Sequence, residues 1–139
     1  MKTLKAWIID EMISELKEME GRTVYGCDLG FSIFESANVD GSYTYSTYEA
    51  INWIKKYFDD LGEIVEETTA EGLTPPNVFD KPESFMVFIM LECSSYLTGK
   101  CKFIEDNWND EIELNKKNIN RICKELKEIK KERYFSFYD

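Results

Sequence analysis

Carboxylates are the only plentiful side chains here that could do acid–base or metal chemistry. The chain carries 27 Asp and Glu against 17 Lys and Arg, and no His. Asp59, Asp60, Glu63, Glu66, Glu67 and Glu71 cluster in sequence, and hard cations take oxygen ligands. None of them has a recognised ligand spacing, so a solvated or protein-binding face is the favoured reading. Without His, the usual general base and the Ser-His and Cys-His nucleophile pairs are missing. Cys27, Cys93, Cys101 and Cys123 form no C-x-x-C pair and read as free, buried thiols rather than a zinc or redox motif.

Two weaker constellations fail on geometry. Oxygen-bearing residues between Asn38 and Glu49 fall where an EF-hand loop would want most of its ligands. However, the sharp turn of that loop needs a glycine where Tyr43 stands. Gly26 and Gly30 complete neither a G-x-G-x-x-G fingerprint nor a Walker loop. No metal, cofactor or catalytic residue is expected, and the chain is read as a non-enzyme. Glu92 is the most unusual carboxylate, because a helical wheel sets it among Phe85, Phe88, Ile89 and Tyr96. It is expected to be ion-paired to Arg22, Lys100 or Arg121, with a raised-pKa general acid as the alternative.

The elements that must position these residues are mainly α: one domain over 1–139, of about five helices around a central helix at 83–98. That central helix, Ser84 to Leu97, is apolar on nearly every side and so belongs inside. Asp80 and Pro82 launch it and Gly99 ends it. A first helix is expected from Lys2 to Glu20 on the stripe Leu4, Ile8, Met12, Leu16 and Met19, stopped by Gly21, with Trp7 left on the polar side. Tyr25, Leu29 and Ile33 favour a short second helix over Cys27 to Glu35, although Phe31, Ile33 and Glu35 also alternate as a strand would. The turn Asn38–Gly41 and the strand-like Ser42–Tyr45 fit a short β-hairpin near residues 31–45. Ser46 and Glu49 form a capping box that starts a helix at Thr47, with Ile51, Ile54, Phe58 and Leu61 inward. Gly72 to Asn77, with Pro75 and Pro76, breaks the chain. Cys101 to Ile104 reads as a connector, and 105–111 as an acidic loop around Trp108. Asn115 caps a last helix whose seam is Ile119, Ile122, Leu126 and Ile129.

Net charge is −10, divided unevenly: −14 over residues 1–114 and +4 over residues 115–139. Acidity on this scale repels phosphate backbones and anionic lipid, and it favours a partner with a basic surface. No direct nucleic-acid binding and no membrane association are therefore expected, and because Lys5–Ile9 is cut short by Asp10 and Glu11, giving neither a signal-peptide core nor a membrane span, a cytoplasmic location is expected. The aromatic tail Tyr134–Tyr138 suits docking or a homodimer through the last helix, which would make the chain a structural or assembly protein.

The run Tyr25-Gly26-Cys27-Asp28-Leu29, then Asp40-Gly41-Ser42, Tyr45-Ser46-Thr47, Trp53-Ile54, Leu61-Gly62, and later Phe103-Ile104 with Asn107-Trp108, resembles small phage-encoded proteins of uncharacterised function. In size, acidity and lack of cofactor motifs the chain is also similar in type to anti-CRISPR and antirestriction proteins. That resemblance implies an inhibitor acting in the host cytoplasm on a defence enzyme such as a Cas effector. Its acids would take the place of phosphates and its aromatics would anchor the contact. The residues expected to bind are Tyr43, Tyr45, Trp53, Asp59, Asp60, Glu63, Glu66, Glu67, Asp106, Trp108, Asp110 and Glu111.

Overall fold

A computed structural model describes residues 3–35 and 82–132, together with 45, 46, 49, 52, 78 and 79. The described chain is mainly helical. Helix α1 spans Leu4–Glu18. Thr3 caps it, its hydroxyl accepting from the Ala6 amide at 3.2 Å. Leu4, Ile8, Ile9, Met12, Ile13 and Leu16 are buried along one stripe, as the 3.6-residue period requires. Gly21, at φ +95°, ends the excursion, in a backbone region that L side chains rarely adopt. Its amide donates to the Leu114 carbonyl at 2.9 Å. Trp7 is half-buried against the core rather than standing free on the polar side.

Helix α5, Lys116–Lys131, is the strongest amphipathic element. Asn115 caps it, its side-chain oxygen accepting from the Asn118 amide at 2.8 Å. Ile119, Ile122, Cys123, Leu126 and Ile129 are buried, and they face α1. Lys130 and Lys131 close the last turn, where cations suit the helix dipole. A polar tie also joins the two helices. Lys5 of α1 is buried, and its ammonium donates to the Ile129 carbonyl at 3.2 Å and the Glu132 carbonyl at 2.5 Å, satisfying the end of α5.

Between these elements lies α3, Pro82–Gly99, with the proline in its first turn and the glycine at its end, as the sequence implies. Phe85, Ile89, Cys93 and Leu97 are fully in the core. Met86, Phe88, Met90, Leu91 and Tyr96 are half-buried around it. Helix α2, Gly26–Ser32, crosses α3 at very short range. A methyl group on Gly30 would stand 2.7 Å from the Thr98 hydroxyl and 2.8 Å from the Ser95 backbone nitrogen. Ser94 then donates to the Gly30 carbonyl at 2.7 Å. The sequence Gly26-x-x-x-Gly30, which looks unfavourable for a helix, is what lets this one approach its neighbours so closely.

A short helix, α4 (Lys102–Asp106), stands where a connector was expected. Its first turn is capped from another helix: the Phe103 amide donates to a carboxylate oxygen of Glu125 at 3.3 Å. Two small antiparallel ladders complete the described chain. β1 (Thr23–Tyr25) pairs with β4 (Glu111–Glu113), which the sequence reading had as loop. β2 (Tyr45–Ser46) pairs with β3 (Val78–Phe79). The β element expected around Tyr45 is thus present, with a partner distant in sequence, while Phe31 and Ser32 belong to α2. Glu49 and Asn52 are helical. The rest of the helix expected from Thr47, the turn Asn38–Gly41, the break at Gly72–Asn77 and the tail Tyr134–Tyr138 lie outside the described residues. Among those described, no helix is long and apolar enough to cross a membrane.

Candidate partner-binding surface

β1 and β4 build an edge by simple alternation. The register sets Thr23 against Glu113, Val24 against Ile112 and Tyr25 against Glu111. Val24 and Ile112 face the core, which leaves Thr23, Tyr25, Glu111 and Glu113 on the open side. Tyr25 is 47% exposed, with Glu111 directly across the ladder from it.

The turn that follows α4 is clamped onto the start of α2 by the backbone. The Gly26 amide donates to the Asp110 carbonyl at 3.0 Å and the Cys27 amide to the Trp108 carbonyl at 2.8 Å. Asn107 holds the turn from inside, its side-chain amide donating to the Phe103 carbonyl at 2.7 Å. Gly26 is required by the same contact, since a methyl group there would lie 2.9 Å from the Asn107 carbonyl carbon and 3.0 Å from the Trp108 α-carbon. Trp108 remains 38% exposed, with one edge of its indole over Gly99.

Around these aromatics stand the exposed carboxylates of Asp28, Glu105, Asp106, Asp110, Glu111 and Glu113. Among the described residues only Asp106 is ion-paired, with Lys102 at 2.8 Å. That bond is also the chief reason the Lys102 ammonium is held above the usual lysine pKa. Phe31, 47% exposed, lies on the same outer side of α2 as Asp28, three residues apart.

Of the residues expected to bind, Asp106, Trp108, Asp110 and Glu111 therefore share one surface. Tyr45 contributes backbone to β2, away in sequence from this edge. Tyr43, Trp53, Asp59, Asp60, Glu63, Glu66 and Glu67 lie outside the described residues. Sequence reasoning missed Tyr25, Asp28 and Phe31. The spacing of Tyr25 with Leu29 and Ile33 is that of one helix. The helix begins only at Gly26, so Tyr25 follows the two-residue period of a strand and points out, while Leu29 and Ile33 are buried.

Glu92 departs from expectation. It is half-buried on α3, and burial raises its pKa above the ordinary carboxylate value. The cations proposed to pair with it are engaged elsewhere: Arg22 bonds Glu35 at 2.9 Å, Lys100 lies over Tyr96 at 5.0 Å and Arg121 lies over Phe103 at 5.8 Å. Burial with the nearby Glu125 carboxylate pushes the Cys101 thiol up to about 12, so it stays protonated and a poor nucleophile at neutral pH. Among the described residues no group of three or more Cys, Asp and Glu is arranged to hold a metal ion.

No protein-family model matches this chain, and no curated protein or solved structure matches it either.

Proposed function

We propose that the chain is a non-enzymatic binding protein, of the phage-inhibitor type. Its acidic, aromatic edge covers a basic, nucleic-acid-binding surface of a host defence enzyme, a Cas effector being the leading target. The observation that supports this reading is the exposure of Tyr25, Phe31 and Trp108 among carboxylates of which, among the described residues, only Asp106 is ion-paired. Large aromatics supply most of the binding free energy at protein interfaces when they are desolvated. Unpaired carboxylates steer a basic partner and take the sites it keeps for phosphates. Because backbone hydrogen bonds and Gly26 already hold the edge, little conformational entropy remains to be lost on association.

The test is binding of the full chain to a panel of purified Cas effectors at low salt. At least one should bind, with an affinity that falls as salt rises. The double substitution Tyr25→Ala and Trp108→Ala should weaken that complex by roughly a hundredfold, on the scale of two interface anchors. Stability of the free protein should fall by about 2–3 kcal/mol, because Trp108 is more than half covered and Tyr25 about half, so binding is compared at a temperature where both proteins are folded. Absence of binding across the panel would remove this reading.

A further inference from the structure

The opposite charge is gathered on α5. Lys116, Lys117, Arg121, Lys124 and Lys127 line its open side, and Lys17 of α1 joins them; all six are exposed. Three adjoining hollows of about 700, 450 and 260 Å³ run along this side. All three share Asn120, two share Lys124 and two share Lys17, so they form one continuous trough. Lys17 and Lys127 approach the same point from different helices. Burial raises the Cys123 thiol, and the charges of these two lysines act on it in the opposite direction. Of the carboxylates lining the trough, Asp10 bonds Lys130 at 2.6 Å and Glu128 lies 3.6 Å from Lys131, which leaves Glu20, at the edge of the smallest hollow, against six cations. Among the described residues none of the six cations forms an ion pair.

We propose that this trough binds the phosphate backbone of a single nucleic-acid strand. The site is independent of the acidic edge and uses none of its residues. A helix of this length spans about 24 Å, enough for several consecutive phosphates. At one end Phe103 lines the trough with the Arg121 guanidinium over its ring, a pair of planar groups on which an unpaired base can stack. An acidic protein helix fits less well, because docking a helix in a groove relies on apolar seats at helical spacing. The apolar floor here, Ile13, Ile119 and Cys123, is almost wholly buried. The net charge of −10 does not forbid binding, since charges beyond about 10 Å are largely screened at 0.1 M salt. Contact through phosphates alone carries no sequence information, so binding should be insensitive to base order.

Fluorescence anisotropy of the full chain with labelled mixed-sequence strands of roughly 15 nucleotides, one RNA and one DNA, tests this at about 0.1 M salt, where the distant acids are screened. A duplex and polyglutamate serve as further arms. Single strands of either sugar should bind, since the phosphate is common to both, and affinity should fall linearly on logarithmic axes as salt rises. The triple substitution Lys17→Gln, Lys124→Gln and Lys127→Gln should weaken binding at least about tenfold and flatten the salt slope by about 2, the loss of three phosphate contacts. All three residues are exposed, so the variant's thermal melt should match the parent's. Asp110→Asn with Glu111→Gln should not weaken the affinity. The proposal is overturned by lack of binding to either strand, by equal binding of the triple variant, by tighter binding of the duplex, or by binding of polyglutamate in place of nucleic acid.

Discussion

The acidic edge and the lysine face are built by opposite means. The edge joins two stretches far apart in sequence: β1 with the start of α2, and the turn 107–110 running on into β4. What holds it is backbone meeting backbone across a glycine, and its side chains are largely free to meet a partner. The lysine face is one amphipathic helix, whose buried seam packs on α1 and whose outer side is written in consecutive turns of a single segment. A surface assembled from distant segments depends on tertiary closeness, so one added methyl can dismantle it. A surface carried by one helix tolerates substitution on its outer side, and fails only when its seam or its ends are disturbed.

The largest expected effect breaks the first surface and spares the second. Gly26→Ala forces a methyl into the Asn107–Trp108 backbone and should destabilise the protein by about 3 kcal/mol, the upper range for overpacking a site that cannot yield. Hydrogen exchange should show lost protection at the Cys27 amide, with the α5 amides opening only on global unfolding. If the variant instead keeps its Cys27 protection, the edge is not held as described.

Lys5→Met acts on the other region, removing the donor that satisfies the Ile129 and Glu132 carbonyls. A cost of about 1–2 kcal/mol in urea denaturation is expected, as for hydrogen bonds made by a charged group, with fraying confined to the end of α5. Loss of the edge in this variant would show the two surfaces to be coupled.

The smallest effect lies on α3 between them. The folded-state pKa of Glu92 is raised by burial, so above the unfolded carboxylate value the native state holds more protons than the unfolded chain. Stability from this group is therefore fully present at acid pH and is lost as pH rises through the raised value. Glu92→Gln should stabilise the protein at pH 7, by less than about 1 kcal/mol given the group's partial exposure, and should give little gain near pH 4. Equal gains at both pH values would mean that ionisation of Glu92 is not what costs stability.

Much of the helical frame is legible in the sequence because it depends on local signals. Asn115 caps where it stands, Gly21 and Gly99 end helices, and the seams of α1 and α5 repeat at the helical period, although the Thr3 cap starts α1 at Leu4 rather than at the expected Lys2. The candidate edge is legible only in part. Asp106, Trp108, Asp110 and Glu111 are neighbours in sequence and so could be named together. Tyr25 was assigned to the wrong period, and the β1–β4 ladder joins residues nearly ninety positions apart, a pairing that no local pattern encodes. The expected partners of Glu92 were chosen by charge, whereas in the fold Arg22, Lys100 and Arg121 are drawn to nearer carboxylates or rings.

The sequence by itself determined the three long described helices, where two of them stop, and that the basic residues gather on one of them, since hydrophobic period, caps and glycines act over a few residues. Tertiary structure alone decided that Tyr25 and Trp108 meet on one acidic edge, that two glycines serve close packing, and that Lys17 joins the lysines of α5. Those outcomes depend on which backbones can approach within van der Waals contact once the core has closed.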